Sequence, residues 1–181
     1  EQAVYVGWSL GGQLAIELAV REPQRVLAVV TVCSNPRFIA THDWPGMDAD
    51  AFSEFRSAVQ ADPVAALRRF DSLQVSGSKQ ARQLLREQHG SHGPPASVEL
   101  LAGLGWLQML DQRHLLAALQ QPQLHLLAAR DALVPCVAGE LIASRIAGVT
   151  SGQVKVLQDA CHLAPLDVPT QLAQDIHGFL A

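Results

Sequence analysis

A Gly-x-Ser-x-Gly pattern near the start of the chain constrains its fold more than any other feature. Gly7, Ser9 and Gly11 form the pattern, which follows an alternating apolar run at 4–6 and precedes an apolar segment at 13–20. That order is typical of a strand, a tight turn and a buried helix. The pattern therefore predicts a nucleophile elbow, in which the turn exposes the Ser9 hydroxyl and the N-terminus of the next helix faces it.

The residues around Ser9 refine this prediction. We expect glycine at positions 7 and 11 because a Cβ on Gly7 or Gly11 would collide with the neighbouring strand or helix. We expect the backbone N–H of Leu10 to be one donor of an oxyanion hole. By itself the pattern is more often an ordinary glycine turn, so the flanking strand and helix carry the argument. A phosphate-binding loop is disfavoured because neither Gly-x-Gly-x-x-Gly nor Gly-Lys-Ser/Thr occurs.

The rest of the chain alternates between sheet-like and helical segments, with one long interruption. A β-branched run at 26–33 follows the first helix, and this strand-helix-strand order predicts a right-handed βαβ unit. After Pro122 the alternation resumes, with strands expected at 124–129 and 153–157 and helices at 137–146 and 168–180. These segments predict an α/β fold with a doubly wound parallel sheet.

Between the two sheet-like parts, residues 37–119 have helical periodicity and no convincing strand. Helix starts are expected at Asp50, Asp62-Pro63, Ser78, Ser97 and Asp111, since Asp and Ser are favoured N-cap residues and proline suits the first helical turn. We therefore predict a core formed by residues 1–36 and 120–181, with an inserted all-helical cap at 37–119. A doubly wound sheet normally has strands before its elbow strand, so the N-terminal strands of such a fold are expected to lie outside this sequence.

A serine hydroxyl needs a base within hydrogen-bond reach and a carboxylate to orient that base. Asp131 follows one expected strand and His162 follows the next, and all carboxyl ends of parallel strands meet at one edge of a sheet. Considered singly, such an Asp is more often a turn residue and such a His an incidental surface residue. The chain order Ser, Asp, His favours Ser9, Asp131 and His162 as a catalytic triad.

Composition narrows the class of protein. The chain has 181 residues, 49% of them hydrophobic and 17% charged, which predicts a globular domain. No apolar run reaches the length of a membrane span, so we expect a soluble, cytoplasmic protein. The net charge of −4 excludes nucleic-acid binding through bulk charge. Cys33, Cys136 and Cys161 lack metal-site spacing and are expected to be reduced thiols, with no metal or organic cofactor.

Positive charge is concentrated in the expected cap. Between Arg56 and His92 there are six basic residues against three acidic ones, although the whole chain carries a net charge of −4. A basic segment of the cap on an otherwise acidic chain suits an acidic protein partner. Helix surfaces are also often rich in arginine for solubility alone.

The elbow and the triad order resemble the α/β-hydrolase superfamily. Further segments are similar to one family within it, the pimeloyl-[acyl-carrier protein] methyl ester esterases of biotin synthesis. The segments that carry this closer resemblance are 7–12, 34–46, 69–74, 77–83 and 133–135. The resemblance implies a serine carboxylesterase that removes the methyl ester from a pimeloyl chain on an acidic acyl-carrier protein.

The same resemblance implies roles for further residues. Ser9 matches the nucleophile, Asp131 the orienting acid, His162 the base and Leu10 an oxyanion donor. The residues implied to bind the acyl substrate are Trp8, Phe70, Asp71, Ser72, Leu73 and Gln74. Those implied to bind the carrier protein are Arg69, Arg82 and Arg86; a further arginine of the family is replaced by Ala65, where Arg68 is a neighbouring substitute. A second oxyanion donor is expected from a loop that precedes the first residue of this sequence.

Two alternatives remain open at this point. The first is a broader esterase for small esters that has no carrier partner. The second is a binding module or catalytically incomplete fragment that retains the elbow and the cap but does not turn over. Dehalogenases and epoxide hydrolases are disfavoured, because those relatives carry an aspartate where Ser9 stands.

Overall fold

A computed structural model describes residues 1–89, 97–149 and 151–181. Its strands are β1 (Ala3–Trp8), β2 (Val26–Val32), β3 (Gln123–Ala128) and β4 (Gly152–Leu157). Its α-helices are α1 (Leu10–Arg21), α2 (Ala49–Ala61), α3 (Pro63–Gln74), α4 (Ala81–His89), α5 (Ser97–Met109), α6 (Ala138–Ile146), α7 (Ala164–Asp167) and α8 (Pro169–Leu180). The elements of the expected core follow the predicted order, with boundaries that differ by a few residues.

The strands form one parallel sheet in the order β1-β2-β3-β4 within the described residues. All three pairings are parallel, so the carboxyl ends of the strands lie at one edge. Val29 packs with α1 and α6 on one face, whereas Val30 packs with α8 on the other. Burial of β2 and β3 on both faces explains why these strands read as nearly continuous apolar runs. The structure therefore confirms the predicted α/β fold with a parallel sheet.

Helices α2 to α5 lie between β2 and β3 in the chain, where helical periodicity predicted them. Asp62 caps α3 as expected, since its carboxylate accepts the N–H of Ala65. The expected cap of α2 at Asp50 is wrong by two residues, because the side chain of Asp48 accepts the first free N–H groups of that helix. The expected helix at 111–119 is also wrong, because that segment forms turns.

One hydrophobic cluster joins these helices to the sheet. It includes Ile16 from α1, Leu127 from β3 and Phe52 from α2. We propose that residues 37–119 act as a cap on a core of residues 1–36 and 120–181, packed on it rather than tethered beside it. Among the described helices, none is both long enough and apolar enough to cross a membrane.

A buried polar chain crosses the sheet at His125 on β3. The ring Nδ1 lies 2.8 Å from Thr31 Oγ1, and Nε2 lies 3.0 Å from Gln123 Oε1. Because the amide oxygen of Gln123 only accepts, the ring donates Nε2–H to it, and Nδ1 accepts the Thr31 hydroxyl. Burial lowers the pKa of His125 from 6.5 to about 4, so the ring is neutral at neutral pH.

This buried ring is expected to make folding stability depend on pH. Since the unfolded chain binds the His125 proton near pH 6.5 and the folded chain binds it only near pH 4, stability is lost as pH falls between those values. The loss should reach about 3 kcal/mol. Urea unfolding from pH 7.5 to 4 should show it in the parent and much less in His125→Gln. The exposed His114→Gln control should keep the parent slope; equal slopes in all three proteins would contradict the prediction.

Candidate active site

The turn between β1 and α1 has the geometry of a nucleophile elbow. Ser9 has φ 53° and ψ −123°, a left-handed conformation that a non-glycine residue adopts only under strain. Its N–H donates to the carbonyl of Val32 at 2.9 Å, and its own carbonyl accepts the N–H of Gly12 at 3.0 Å. These bonds fix the turn at the carboxyl edge of the sheet. The strained turn places the Ser9 hydroxyl at the N-terminus of α1.

The structure confirms one of the two glycine restrictions predicted at the elbow and adds another. A Cβ on Gly7 would run into the backbone of Gly11, as predicted for position 7. The prediction for Gly11 is wrong, because a Cβ there would meet nothing within 4 Å. Gly12 is the second restricted position, since a Cβ there would lie 2.5 Å from Ser34 Oγ. The close approach of α1 to β1 and to the end of β2 therefore depends on Gly7 and Gly12.

We expect Gly7→Ala and Gly11→Ala to have opposite effects on stability. The Gly7 substitution forces a methyl group into backbone atoms and should cost about 3 kcal/mol or more. The Gly11 substitution places alanine in an open position of a helix and should be neutral or stabilising by up to about 1 kcal/mol. Urea unfolding followed by circular dichroism would measure both. Equal unfolding midpoints for the two variants would contradict the proposed close contact.

The structure brings the side chains of Ser9, His162 and Asp131 into one hydrogen-bonded row. His162 Nε2 lies 3.0 Å from Ser9 Oγ, and His162 Nδ1 lies 2.8 Å from Asp131 Oδ2. The other carboxylate oxygen, Asp131 Oδ1, accepts the backbone N–H groups of Leu133 at 2.8 Å and Val134 at 2.9 Å. A neutral ring that donates Nδ1–H to this fixed carboxylate has Nε2 free to accept the serine proton.

The row is shielded from water on the side away from Ser9. The side chains of His162 and Asp131 are 1% and 0% exposed. Each follows a strand of the sheet, β4 for His162 and β3 for Asp131, so residues far apart in sequence meet at one edge. Leu10 opens α1, where the first N–H groups have no partner within the helix. Its N–H is therefore available to an oxyanion formed at Ser9.

Trp8 contacts the loop that carries His162, and the sequence did not predict this contact. Its indole N–H donates to the backbone carbonyl of His162 at 2.7 Å, and its ring lies 5.4 Å from the imidazole. Leu163, the next residue, donates its N–H to the carbonyl of Gln74 at the end of α3. The loop that carries His162 is thus held from the elbow on one side and from the cap on the other. A tryptophan just before the elbow serine was the only available signal.

Cys33 follows β2 and lies close to Asp131 and His162. Its sulfur, an Asp131 carboxylate oxygen and a His162 ring nitrogen lie within 4.8 Å of one another, the one set of potential metal ligands in the described ranges. Burial, followed by the Asp131 charge, raises the pKa of the Cys33 thiol well above its usual range. Burial also raises the pKa of Cys161 to about 12. Both thiols therefore stay protonated at neutral pH, and Cys161 packs in a buried cluster with Leu163.

A cavity of about 370 Å³ opens beside Ser9 between the elbow and helices α2, α3 and α5. Its lining is almost wholly apolar, and two aromatic rings of that lining, Phe55 and Phe70, pack with centroids 5.6 Å apart. Ser9 and Leu10 belong to the lining, so a hydrocarbon chain in the cavity could present its end to the nucleophile. The arrangement is suited to an apolar acyl group.

The implied substrate residues other than Trp8 lie on α3, but on more than one face of it. Trp8, Phe70 and Leu73 line the cavity. Asp71, Ser72 and Gln74 do not, because the helical repeat turns them away. The hydroxyl of Ser72 bonds to its own helix, and the Gln74 side chain accepts from Gln88. Only part of the segment 70–74 can therefore contact a ligand in this cavity.

The arginines implied to bind a carrier protein lie at the surface of the cap. Arg69 is exposed on α3, and Arg82 and Arg86 are exposed one turn apart on α4. Arg68, the suggested substitute for the missing family arginine, is exposed as well. Within the part of the chain that the structure describes, none of these four residues has an acidic partner. Arg130 and Lys79, in contrast, pair with Asp159.

Comparison with known proteins identifies the family to which the chain belongs. The family model described as alpha/beta hydrolase fold matches residues 1–169. The esterase of Exiguobacterium antarcticum has the same fold, with a TM-score of 0.84 and 17% identity over 96% of this chain and 65% of that one. The bromoperoxidase of Bacillus anthracis gives a TM-score of 0.83 at 20% identity, covering 97% of this chain and 66% of its own.

Curated sequences give closer relatives. A pimeloyl-[acyl-carrier protein] methyl ester esterase of Methylococcus capsulatus is 38% identical, over 99% of this chain and 70% of its own length. The biotin biosynthesis bifunctional protein BioHC of Cellvibrio japonicus is also 38% identical, over 99% of this chain and 35% of its own. The chain thus spans about a third of the bifunctional relative and 70% of the esterase. It belongs to the alpha/beta hydrolase fold family, within a group of carboxylic ester hydrolases.

Proposed function

We propose that this chain carries the catalytic centre of a serine carboxylesterase that hydrolyses the methyl ester of a pimeloyl chain held on an acyl-carrier protein. The observation that carries the proposal is the hydrogen-bonded row Ser9–His162–Asp131, whose Ser9 lines an apolar cavity. The 38% identity to a relative named for this activity supports the choice of substrate.

The proposed reaction proceeds through an acyl-enzyme. His162 Nε2 takes the proton of Ser9 as Oγ attacks the ester carbonyl, and the resulting oxyanion accepts the N–H of Leu10 at the start of α1. The tetrahedral intermediate collapses, the bond to the methoxy oxygen breaks, and His162 gives that oxygen its proton so that methanol leaves. His162 then takes a proton from water, which attacks the acyl-enzyme, and returns it to Ser9 as the free carboxylate is released.

The orienting carboxylate is held in place before the reaction starts. Asp131 accepts two backbone N–H groups and the His162 N–H, so its charge is fixed by short bonds in a site without water access. This arrangement stabilises the imidazolium that forms when Ser9 loses its proton. The proposed roles of Ser9, His162 and Asp131 follow from this order of contacts.

The unpaired arginines support a carrier-protein partner. Arg82 and Arg86 occupy one exposed face of α4, and no acidic side chain among the described residues neutralises them. Arg69 is exposed and also lines the cavity, so the basic surface reaches the entrance of the acyl site. An acidic carrier docked there would deliver its acyl chain into the cavity.

The test compares methanol release from a carrier-linked pimeloyl methyl ester with release from dimethyl pimelate. The double variant Arg82→Glu/Arg86→Glu should lower kcat/KM for the carrier-linked ester at least tenfold and leave dimethyl pimelate unchanged. Arg25→Glu is the control for charge reversal at a distant surface position, because Arg25 is exposed at the amino-terminal side of β2, away from the catalytic edge.

The outcomes separate the alternatives. Equal loss on both substrates, or equal loss in the Arg25→Glu control, would reject the carrier surface and leave an esterase for small esters. Binding of dimethyl pimelate without methanol release from either substrate would reject the esterase and favour a binding module.

A further inference from the structure

The apolar cavity beside Ser9 has two charged residues in its lining, Arg69 and Glu99. Arg69 belongs to α3 and Glu99 to the first turn of α5, and both helices pack against α2. Both residues are exposed, so they lie at the entrance, where the cavity lining meets solvent. Of these two, the sequence indicated a role for Arg69 alone.

Their position along the cavity follows from the contacts of each helix. Gly103 of α5 approaches Leu10, since a Cβ on it would lie 3.8 Å from the Leu10 side chain. Glu99 is four residues before Gly103, so it lies about 6 Å along the helix from this contact with Leu10. On α3, Gln74 contacts the His162 loop through Leu163, and Arg69 is five residues before Gln74, about 7.5 Å along that helix.

The two opposite charges do not neutralise each other directly. Neither Arg69 nor Glu99 forms an ion pair with any residue of the described chain, so each retains its own interaction with a ligand. A carboxylate at the far end of an acyl chain would be attracted by Arg69 and repelled by Glu99. An uncharged end could accept a hydrogen bond from Arg69 or donate one to Glu99, and it would not be repelled by either charge.

We propose that Glu99 is a specificity-determining residue that makes the acyl site favour esters whose far end is uncharged. Without it, Arg69 would draw free half-esters, which carry a carboxylate at that end, into the cavity. When Glu99 is present, its negative charge offsets the attraction of Arg69 for such a carboxylate. Free half-esters then do not compete with an acyl chain whose second carboxyl is linked to a carrier. This inference rests on the proposed ester hydrolysis at Ser9.

The test uses two esters of equal acyl length, monomethyl pimelate with a free carboxylate and dimethyl pimelate without one. Glu99→Gln keeps the size of the side chain and removes its charge. It should raise kcat/KM for monomethyl pimelate about fivefold and change that for dimethyl pimelate less than twofold. Arg69→Gln should lower kcat/KM for monomethyl pimelate by a similar factor. Glu54→Gln, an exposed substitution on α2 outside the cavity lining, is the matched control and should change neither.

A ratio of the two kcat/KM values that stays within twofold of the parent in Glu99→Gln would overturn the inference, as would the same rise in Glu54→Gln. The ratio of the two dissociation constants, measured by calorimetry on Ser9→Ala chains with and without Glu99→Gln, should shift in the same direction. That second readout needs no turnover. Absence of methanol release from both the carrier-linked ester and dimethyl pimelate in the parent chain would therefore reject the proposed function, while the charge selectivity is still decided by binding.

Discussion

Ser9→Ala is expected to lower ester hydrolysis by about 10,000-fold or more, because the variant has no atom that can form the acyl-enzyme. The change removes one hydroxyl whose partner is His162 Nε2 at 3.0 Å. Alanine can adopt the φ of 53° at a cost similar to that of serine, so the fold should be retained. Methanol release from dimethyl pimelate measures the loss, and intact mass after treatment with a fluorophosphonate measures the missing covalent adduct.

A second serine separates loss of the nucleophile from loss of a hydroxyl in general. Ser57 lies exposed on α2, where its hydroxyl donates only to the carbonyl of Ser53 in the same helix. Ser57→Ala should therefore keep both the rate and the adduct of the parent. An adduct on Ser9→Ala, or a rate within tenfold of the parent, would mean that Ser9 is not the nucleophile.

The row of Ser9, Asp131 and His162 could be predicted because each residue is tied to a strand end by its neighbours in sequence. An apolar run that ends at a polar residue marks the carboxyl end of a parallel strand, and parallel strands place all such ends at one edge. The order of strands and helices in the sequence was therefore sufficient to predict that these three residues meet. The distances and the tautomer did not need to be known for the three residues to be chosen.

Other features depend on how two elements approach each other, and local patterns do not encode that approach. Gly11 fits the elbow motif, yet Gly12 is the position that touches Ser34, because α1 leans on the end of β2 at that turn. Likewise, the sequence resemblance assigns the whole segment 70–74 to substrate binding, but the helix presents only one side of that segment to the cavity. The hydrogen bond from Trp8 to the His162 carbonyl joins residues 154 positions apart. No local spacing predicts such a contact.

Asp131→Asn is expected to lower kcat by about 10,000-fold while leaving the fold and substrate binding almost unchanged. An asparagine carbonyl can still accept the N–H groups of Leu133 and Val134 that now bond to Asp131 Oδ1. Its amide nitrogen then faces His162 Nδ1, which must accept instead of donate. The ring proton moves to Nε2, the atom that has to accept the Ser9 proton, and the base is lost.

The control is Asp159→Asn on the loop that leads to His162. Asp159 is exposed and pairs with Lys79 and Arg130, so its replacement removes surface ion pairs of small energetic value. Its kcat should stay within about twofold of the parent. Urea unfolding should give similar midpoints for both variants, because a rate loss explained by unfolding would not support the tautomer argument. A kcat for Asp131→Asn within tenfold of the parent, with KM unchanged, would show that the Asp131 charge does not set the protonation state of His162.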